Sequence, residues 1–317
     1  LNSSQRTYLY VKLFRLKIHE ASGEAFQELF SKIMSYSEDD FQSVSPWGSW
    51  GDGGNDGWIP LEKHYFQVYG PKPNTQIKIN QIIDKAVGDF EKLSAKWGTV
   101  EKYSFVMNDR FQGIPAPISP ALLQLKENKG LLYVGTVNTT ALLKRFMSLT
   151  EDERQDIIGL IPSDVPDFID RGAIMELLNH LINKSPSGLQ FLSDTAPDFE
   201  EKIKFNGLHE QIGLRLRLNS FKIAVIDEYL DSIDEGYQQS IAEEIKNIYA
   251  RSKERFPDNL GDAADLRYFW ILDELVPEQA KENPHSATAF STMAEIILAK
   301  YFETCDAYEH PNNAATA

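Results

Sequence analysis

Strand-like segments are confined to the first half of this chain, and that asymmetry limits the folds open to it. Residues 64–69 are aromatic and β-branched and stop at Gly70-Pro71, which reads as a strand and its terminator. Residues 103–107 and 131–137 are short apolar runs of the length and character of buried strands. A further short run spans 41–44. Between them lie helical spacings. Phe26, Leu29, Phe30 and Ile33 fall at i, i+3, i+4 and i+7 within a helical stretch over 8–36, with Gly23 as a possible break. Ile79, Ile82, Ile83, Val87, Phe90 and Leu93 repeat the pattern over 76–97, and another helix covers 140–148. Helix and strand alternating in this way predict an α/β layer around a central mixed sheet. From Pro162 onward strand signals vanish, and helical patterns occupy 221–254, 262–276 and 286–304. The expected organisation is an α/β domain over 1–150, a linker with short helices over 151–204, and an all-α domain over 205–317. Pro166, Pro186, Gly188 and Pro197 mark the linker.

Composition supports two packed cores. The chain has 317 residues, and single cores stop growing near ~250. It is 42% hydrophobic and 11% aromatic, which argues against disorder. The net charge of −15 is unevenly placed: residues 1–130 are balanced, and the whole excess lies in 131–317. An acidic half repels nucleic acid, because duplex binding depends on neutralising phosphates. Any contact with DNA therefore calls for a partner that supplies basic surface. The lone cysteine, Cys305, excludes an intrachain disulfide and suits a reducing, cytoplasmic setting. No apolar run reaches the ~20 residues that span a bilayer, and the first ten residues do not resemble a signal peptide. The six histidines show no metal-ligand spacing, and neither a G-x-S-x-G elbow nor a phosphate-binding G-x-x-x-x-G-K-[ST] loop is present. The chain itself is not read as an NTPase.

The segment richest in chemistry is the turn GDGGND over 51–56, followed by Gln67 on the next strand. Asp52 and Asp56 in a glycine-rich turn, with an amide oxygen beside them, offer hard oxygen donors of the kind Mg²⁺ prefers. Cleavage of a phosphodiester by metal-activated water uses such a set. Glu24 and Glu28, one turn apart on a helix face, are candidates for a further acid. Tight turns use glycine and aspartate in any case, so a purely structural turn stays open. Trp47, Trp50 and Trp58 are read first as packing over the turn and second as stacking platforms for bases.

An acid on a helix, a GD-x-G-x-D turn and a following Q-strand together resemble the PD-(D/E)XK nuclease superfamily in its Mrr-like branch. The resemblance implies a restriction-endonuclease-like fold, Mg²⁺ as cofactor and DNA as substrate. It puts Asp56 on the metal-binding aspartate, Asp52 on its companion and Gln67 on the family's glutamine. Tyr69 stands where the catalytic lysine belongs, and Lys72, Lys78 and Lys85 are the nearby amines. A second resemblance rests on AKYFETCDAYEHP (299–311), NIYARSKERF (247–256) and YFQVYGP (65–71). These segments are similar to effector subunits of bacterial ABC-three-component systems related to the Lamassu defence group. This implies a small middle subunit and an SMC- or RecN-like ABC ATPase as partners, with DNA reached through the complex. The alternative is a nuclease-derived scaffold whose site decayed when tyrosine took the lysine position.

Overall fold

The computed structural model describes residues 3–46, 48, 51–72, 78–159, 170–184, 199–304 and 306–311. Two helices, α1 (Ser3–Glu20) and α2 (Glu24–Ser37), replace the single helical stretch read over 8–36. The break falls at Gly23, whose φ of 52° is costly for a residue with a Cβ. There follow β1 (Gln42–Ser43), β2 (Gly57–Ile59), β3 (His64–Tyr69), α3 (Ile79–Trp97), β4 (Lys102–Met107), α4 (Ile118–Lys129), β5 (Tyr133–Val137), α5 (Thr139–Ser148) and α6 (Glu151–Ile158). The helical part comprises α7 (Arg171–Lys184), α8 (Phe199–Phe205), α9 (Glu210–Ser220), α10 (Ala224–Leu230), α11 (Glu235–Arg255), α12 (Ala263–Leu275), α13 (Glu278–Lys281) and α14 (Pro284–Glu303). Two compact units result. One is Leu13–Gly159; the other combines Leu1–Lys12 with Leu160–Ala317.

The first unit is built on one mixed sheet in the order β1-β2-β3-β4-β5. The pairs β1–β2 and β2–β3 are antiparallel, while β3–β4 and β4–β5 are parallel. Parallel neighbours need a crossover, which α3 and α4 supply. Because side chains alternate across a sheet, the buried strands β3 and β4 feed two cores. Tyr65 and Tyr69 of β3 and Tyr103, Phe105 and Met107 of β4 pack with Ile82, Ala86, Phe90 and Leu93 of α3, and with Ile118, Leu122 and Leu125 of α4. On the opposite face Phe66 meets Phe30 of α2 at 5.6 Å and Phe41 at 5.9 Å between ring centroids. The buried stripe of α2 (Phe26, Leu29, Phe30, Ile33, Met34) carries the helical spacing read from sequence.

In the helical unit α14 is the central element. Met293, Ala294, Ile296, Ile297, Leu298, Ala299, Tyr301 and Phe302 are all buried, a helix apolar on nearly every side. It packs against α7, α9, α10, α12 and α13. The stretch expected as linker contains α7, and its Ile174, Leu177, Leu178 and Leu181 are core residues. Two polar features hold this unit. The Lys202 ammonium, 1% exposed, donates to the carbonyls of Phe302 and Ala307, the latter at 2.9 Å, and so caps the end of α14. The Arg215 guanidinium pairs with Glu295, whose second oxygen accepts from Asn219 Nδ2 at 2.9 Å. The opening turns of α1 belong here too: Tyr8 donates to Asp265 Oδ2 (2.9 Å), Lys12 pairs with the same carboxylate (2.9 Å), and the Tyr8 ring stacks on His209.

Candidate functional site

The glycine-rich turn leads into β2 and is pressed against α3. Asp52 Oδ1 accepts the Gly54 N–H at 2.8 Å, and the Asp52 carbonyl accepts from the Trp97 indole at 3.0 Å. Gly54 has φ of 81°, and a Cβ there would lie 2.6 Å from the Asp89 carbonyl oxygen of α3. Only glycine permits that approach. Trp58 stacks on Tyr65 and lies 5.5 Å from Trp97, a packing role; Trp47, Trp50 and Cys305 lie outside the described residues.

Asp56, the last residue of the turn, brackets Gln67 of β3. Its N–H donates to Phe66 O (3.0 Å), and its Oδ2 accepts the Val68 N–H (2.6 Å). Asp56 is 3% exposed and Gln67 5%. Gln67 alternates with Phe66 and Val68 and so shares the α3 face with Tyr65 and Tyr69. Its Nε2 reaches Val68 O at 3.5 Å, while its Oε1 is buried with no partner. Burial pushes the Asp56 carboxyl up to about 6; the Val68 N–H and Lys85 pull it down, and Asp52 and Asp89 add to the rise.

Two residues here were not singled out as site acids or as its amine. Asp89, 4% exposed, sits in the buried stripe of α3 with Ile82, Ala86, Phe90 and Leu93. It is paired with Lys85 and, at 2.9 Å, with Lys92. A carboxylate on an apolar stripe was the available signal. Lys85 was one of three nearby amines in the sequence, and it alone of the three acts on Asp56; Lys72 and Lys78 are exposed.

The structure thus groups Asp52, Asp56 and Gln67 with Asp89 and Lys85. It does not add Glu24 or Glu28. Both are exposed on α2, whose buried side meets Phe66, on the sheet face opposite Gln67. The backbone of Gly23 does donate to Gly70 O (2.7 Å), so α2 starts beside the end of β3. The charges acting on Asp56 are nevertheless those of Asp52, Lys85 and Asp89. Tyr69 is half-buried and packs on Phe105, and burial raises its hydroxyl pKa. Among the described residues no three His, Cys, Asp or Glu form a group that could hold a metal. A hard cation here would rest on the Asp56 carboxylate and the unpartnered Gln67 carbonyl, with Asp52 beside them and water completing the shell, a donor set Mg²⁺ accepts.

Fold and site define a mixed α/β unit with a buried acidic turn, carried on the same chain as a helical module. The helical module has an assignable relative: residues 172–309, from α7 through α14, match the family model for C-terminal domain 10 of the ABC-three component (ABC-3C) systems. The match supports a component of an ABC-3C system, and therefore a protein that works with partners. No curated protein and no solved structure matches the chain. No helix among the described residues is long and apolar enough to cross a membrane.

Proposed function

We infer that the chain is the DNA-cleaving effector of an ABC-3C defence complex, with a restriction-endonuclease-like first unit and a helical unit that docks to its partners. One observation carries this reading. A carboxyl held near pKa 6 by burial and by two neighbouring carboxylates is bonded to the strand that carries a buried amide oxygen with no partner. Buried like charges are unfavourable unless a cation joins them, and strongly shifted acids cluster at functional sites. Asp56 and Gln67 would hold Mg²⁺, with Asp52 as their companion. Bound there, Mg²⁺ would supply an activated water and neutralise charge on the scissile phosphate. Lys85 acts electrostatically on Asp56, whereas Tyr69 at the lysine position brings no amine to the site. The proposed partners are an SMC- or RecN-like ABC ATPase and a small middle subunit, and they deliver DNA that the acidic half of this chain would repel.

The test is cleavage of plasmid by the co-purified complex with Mg²⁺ and ATP. Wild type should cut. Asp56→Ala should abolish cutting and leave the complex assembled. The second reading, a scaffold that assembles the complex without cleaving, draws on Tyr69 packed against Phe105 and on Glu24 and Glu28 standing exposed. Equal, background-level behaviour of wild type, Asp56→Ala and Tyr69→Lys on DNA would favour it.

A further inference from the structure

We propose that Asp89 on α3 is a third oxygen donor of the acidic site, and that the Lys85 ammonium is an internal stand-in that occupies Asp89 until a divalent cation displaces it. This rests on the metal-dependent reading of the site and deepens it. Asp89 is buried on the helix that faces Gln67, and its backbone carbonyl is the atom against which Gly54 is pressed. The turn bearing Asp52 and Asp56 is therefore fixed to α3 at this residue. Burying Asp89 beside Asp52 and Asp56 without positive charge is expensive, and Lys85 and Lys92 supply that charge from one turn on either side. The two lysines differ. Lys92 reaches Asp89 from a side chain about two-thirds exposed, whereas Lys85 is about two-fifths exposed where it meets Asp89. An independent pointer to a ligand is Gln67 Oε1, an acceptor more than nine-tenths buried, without a donor, on the sheet face that α3 covers. Neither lysine supplies it with a bond. A cation shared by Asp56, Gln67 and Asp89 would satisfy that oxygen and make the Lys85 ammonium redundant. Lys85 stands on a flexible stem and is about two-fifths exposed, so it can swing to water. The prediction is an unusual one for a lysine in an acidic site: it competes with the metal.

Mn²⁺ binding to the full chain, followed by calorimetry and by the paramagnetic signal of free Mn²⁺, tests this without reference to cleavage. Asp89→Asn should weaken Mn²⁺ binding about tenfold or more, as loss of a charged oxygen ligand does. Lys85→Met, which keeps the stem and removes the charge, should strengthen binding several-fold. Circular dichroism of each variant guards against misfolding, and Lys85→Met stands as the test should Asp89→Asn not fold. Wild type that binds Mn²⁺ while Asp89→Asn binds it equally well, or while Lys85→Met binds it no more tightly, overturns the assignment of Asp89 and Lys85 and leaves the metal reading of Asp56 standing. Wild type that binds no Mn²⁺ overturns both.

Discussion

Asp56→Asn isolates the energetic cost of the buried acid. Asparagine matches the shape of aspartate and keeps an oxygen to accept the Val68 N–H, so the turn remains tied to β3. What it removes is the charge. The folded carboxyl titrates at about 6 instead of 3.8, a difference equivalent to about 3 kcal/mol. The direction follows from proton uptake. Well below pH 3.8 the carboxyl is protonated in both states and there is no penalty. As pH rises from 3.8 through 6 the unfolded chain gives up its proton more readily, and the folded chain loses stability until the full penalty is reached above pH 6. Asp56→Asn should therefore be the more stable protein at pH 8, by about 2–3 kcal/mol with chelator present. The gap should shrink to near zero by about pH 3. Urea unfolding read by tryptophan emission reports mainly on the correct unit, since four of the five tryptophans, all but Trp270, lie in Leu13–Gly159 and Trp58 and Trp97 flank the turn. Saturating Mg²⁺ should close the gap at pH 8 by stabilising only the wild type. A variant less stable than wild type at pH 8, or a gap that does not change with pH, would refute the account of Asp56 as a strained, buried charge.

Other substitutions probe the supports. Gly54→Ala combines a φ of 81° with a 2.6 Å approach to the Asp89 carbonyl, and should cost about 2 kcal/mol or more in the same urea assay. Lys202→Met leaves the carbonyls of Phe302 and Ala307 without their donor and should cost about 2–4 kcal/mol, seen as a lower thermal midpoint of the helical signal. His64, bonded to Ser104 and pushed down to about 4 by burial, is neutral when folded. Its contribution is intact above pH 6.5 and is lost as pH falls toward 4. His64→Gln should flatten the pH dependence of stability over that window, and an unchanged slope would sink the assignment.

How much of this the sequence announced depended on whether the signal was periodic. Both α3 and β4 were legible because Ile82, Phe90 and Leu93 keep helical spacing and residues 103–107 are uniformly apolar; α12 and α14 fell within two residues of their expected ends. By contrast β2 was not read, since three residues beginning with glycine carry no alternation to detect. The helix α7 was hidden by the proline- and glycine-containing stretches around it, although Leu177 and Leu181 hold the core spacing. One helical stretch became two, α10 and α11, because Asp234 caps the second by accepting the Gly236 N–H. At the candidate site, the turn and the Q-strand were visible as a motif. Asp89 was visible only as an acid on an apolar stripe, and that becomes informative once the opposing turn is known. Lys202 could not have been found: its partners lie about a hundred residues away, in a helix end and the loop beyond it.

The place of the opening turns of α1 in the helical unit has a consequence for how the chain acquires its structure. Tyr8 and Asp265 are 257 residues apart. Translation at roughly 5–20 residues per second leaves Tyr8 and Lys12 waiting some ten to fifty seconds for that partner to be made. The α/β unit, whose residues run without interruption from 13 to 159, needs no such delay. Its folding can be complete while the helical unit still lacks most of its residues. A late step of maturation is then a long-range closure at Asp265, slow by its topology and sensitive to anything that holds α1 elsewhere in the interval. The matched segment, 172–309, excised on its own, would keep the His209 N–H on Asp265 Oδ1 but lose the hydroxyl and ammonium on Oδ2, and so would be a poorer folder than its family boundaries suggest.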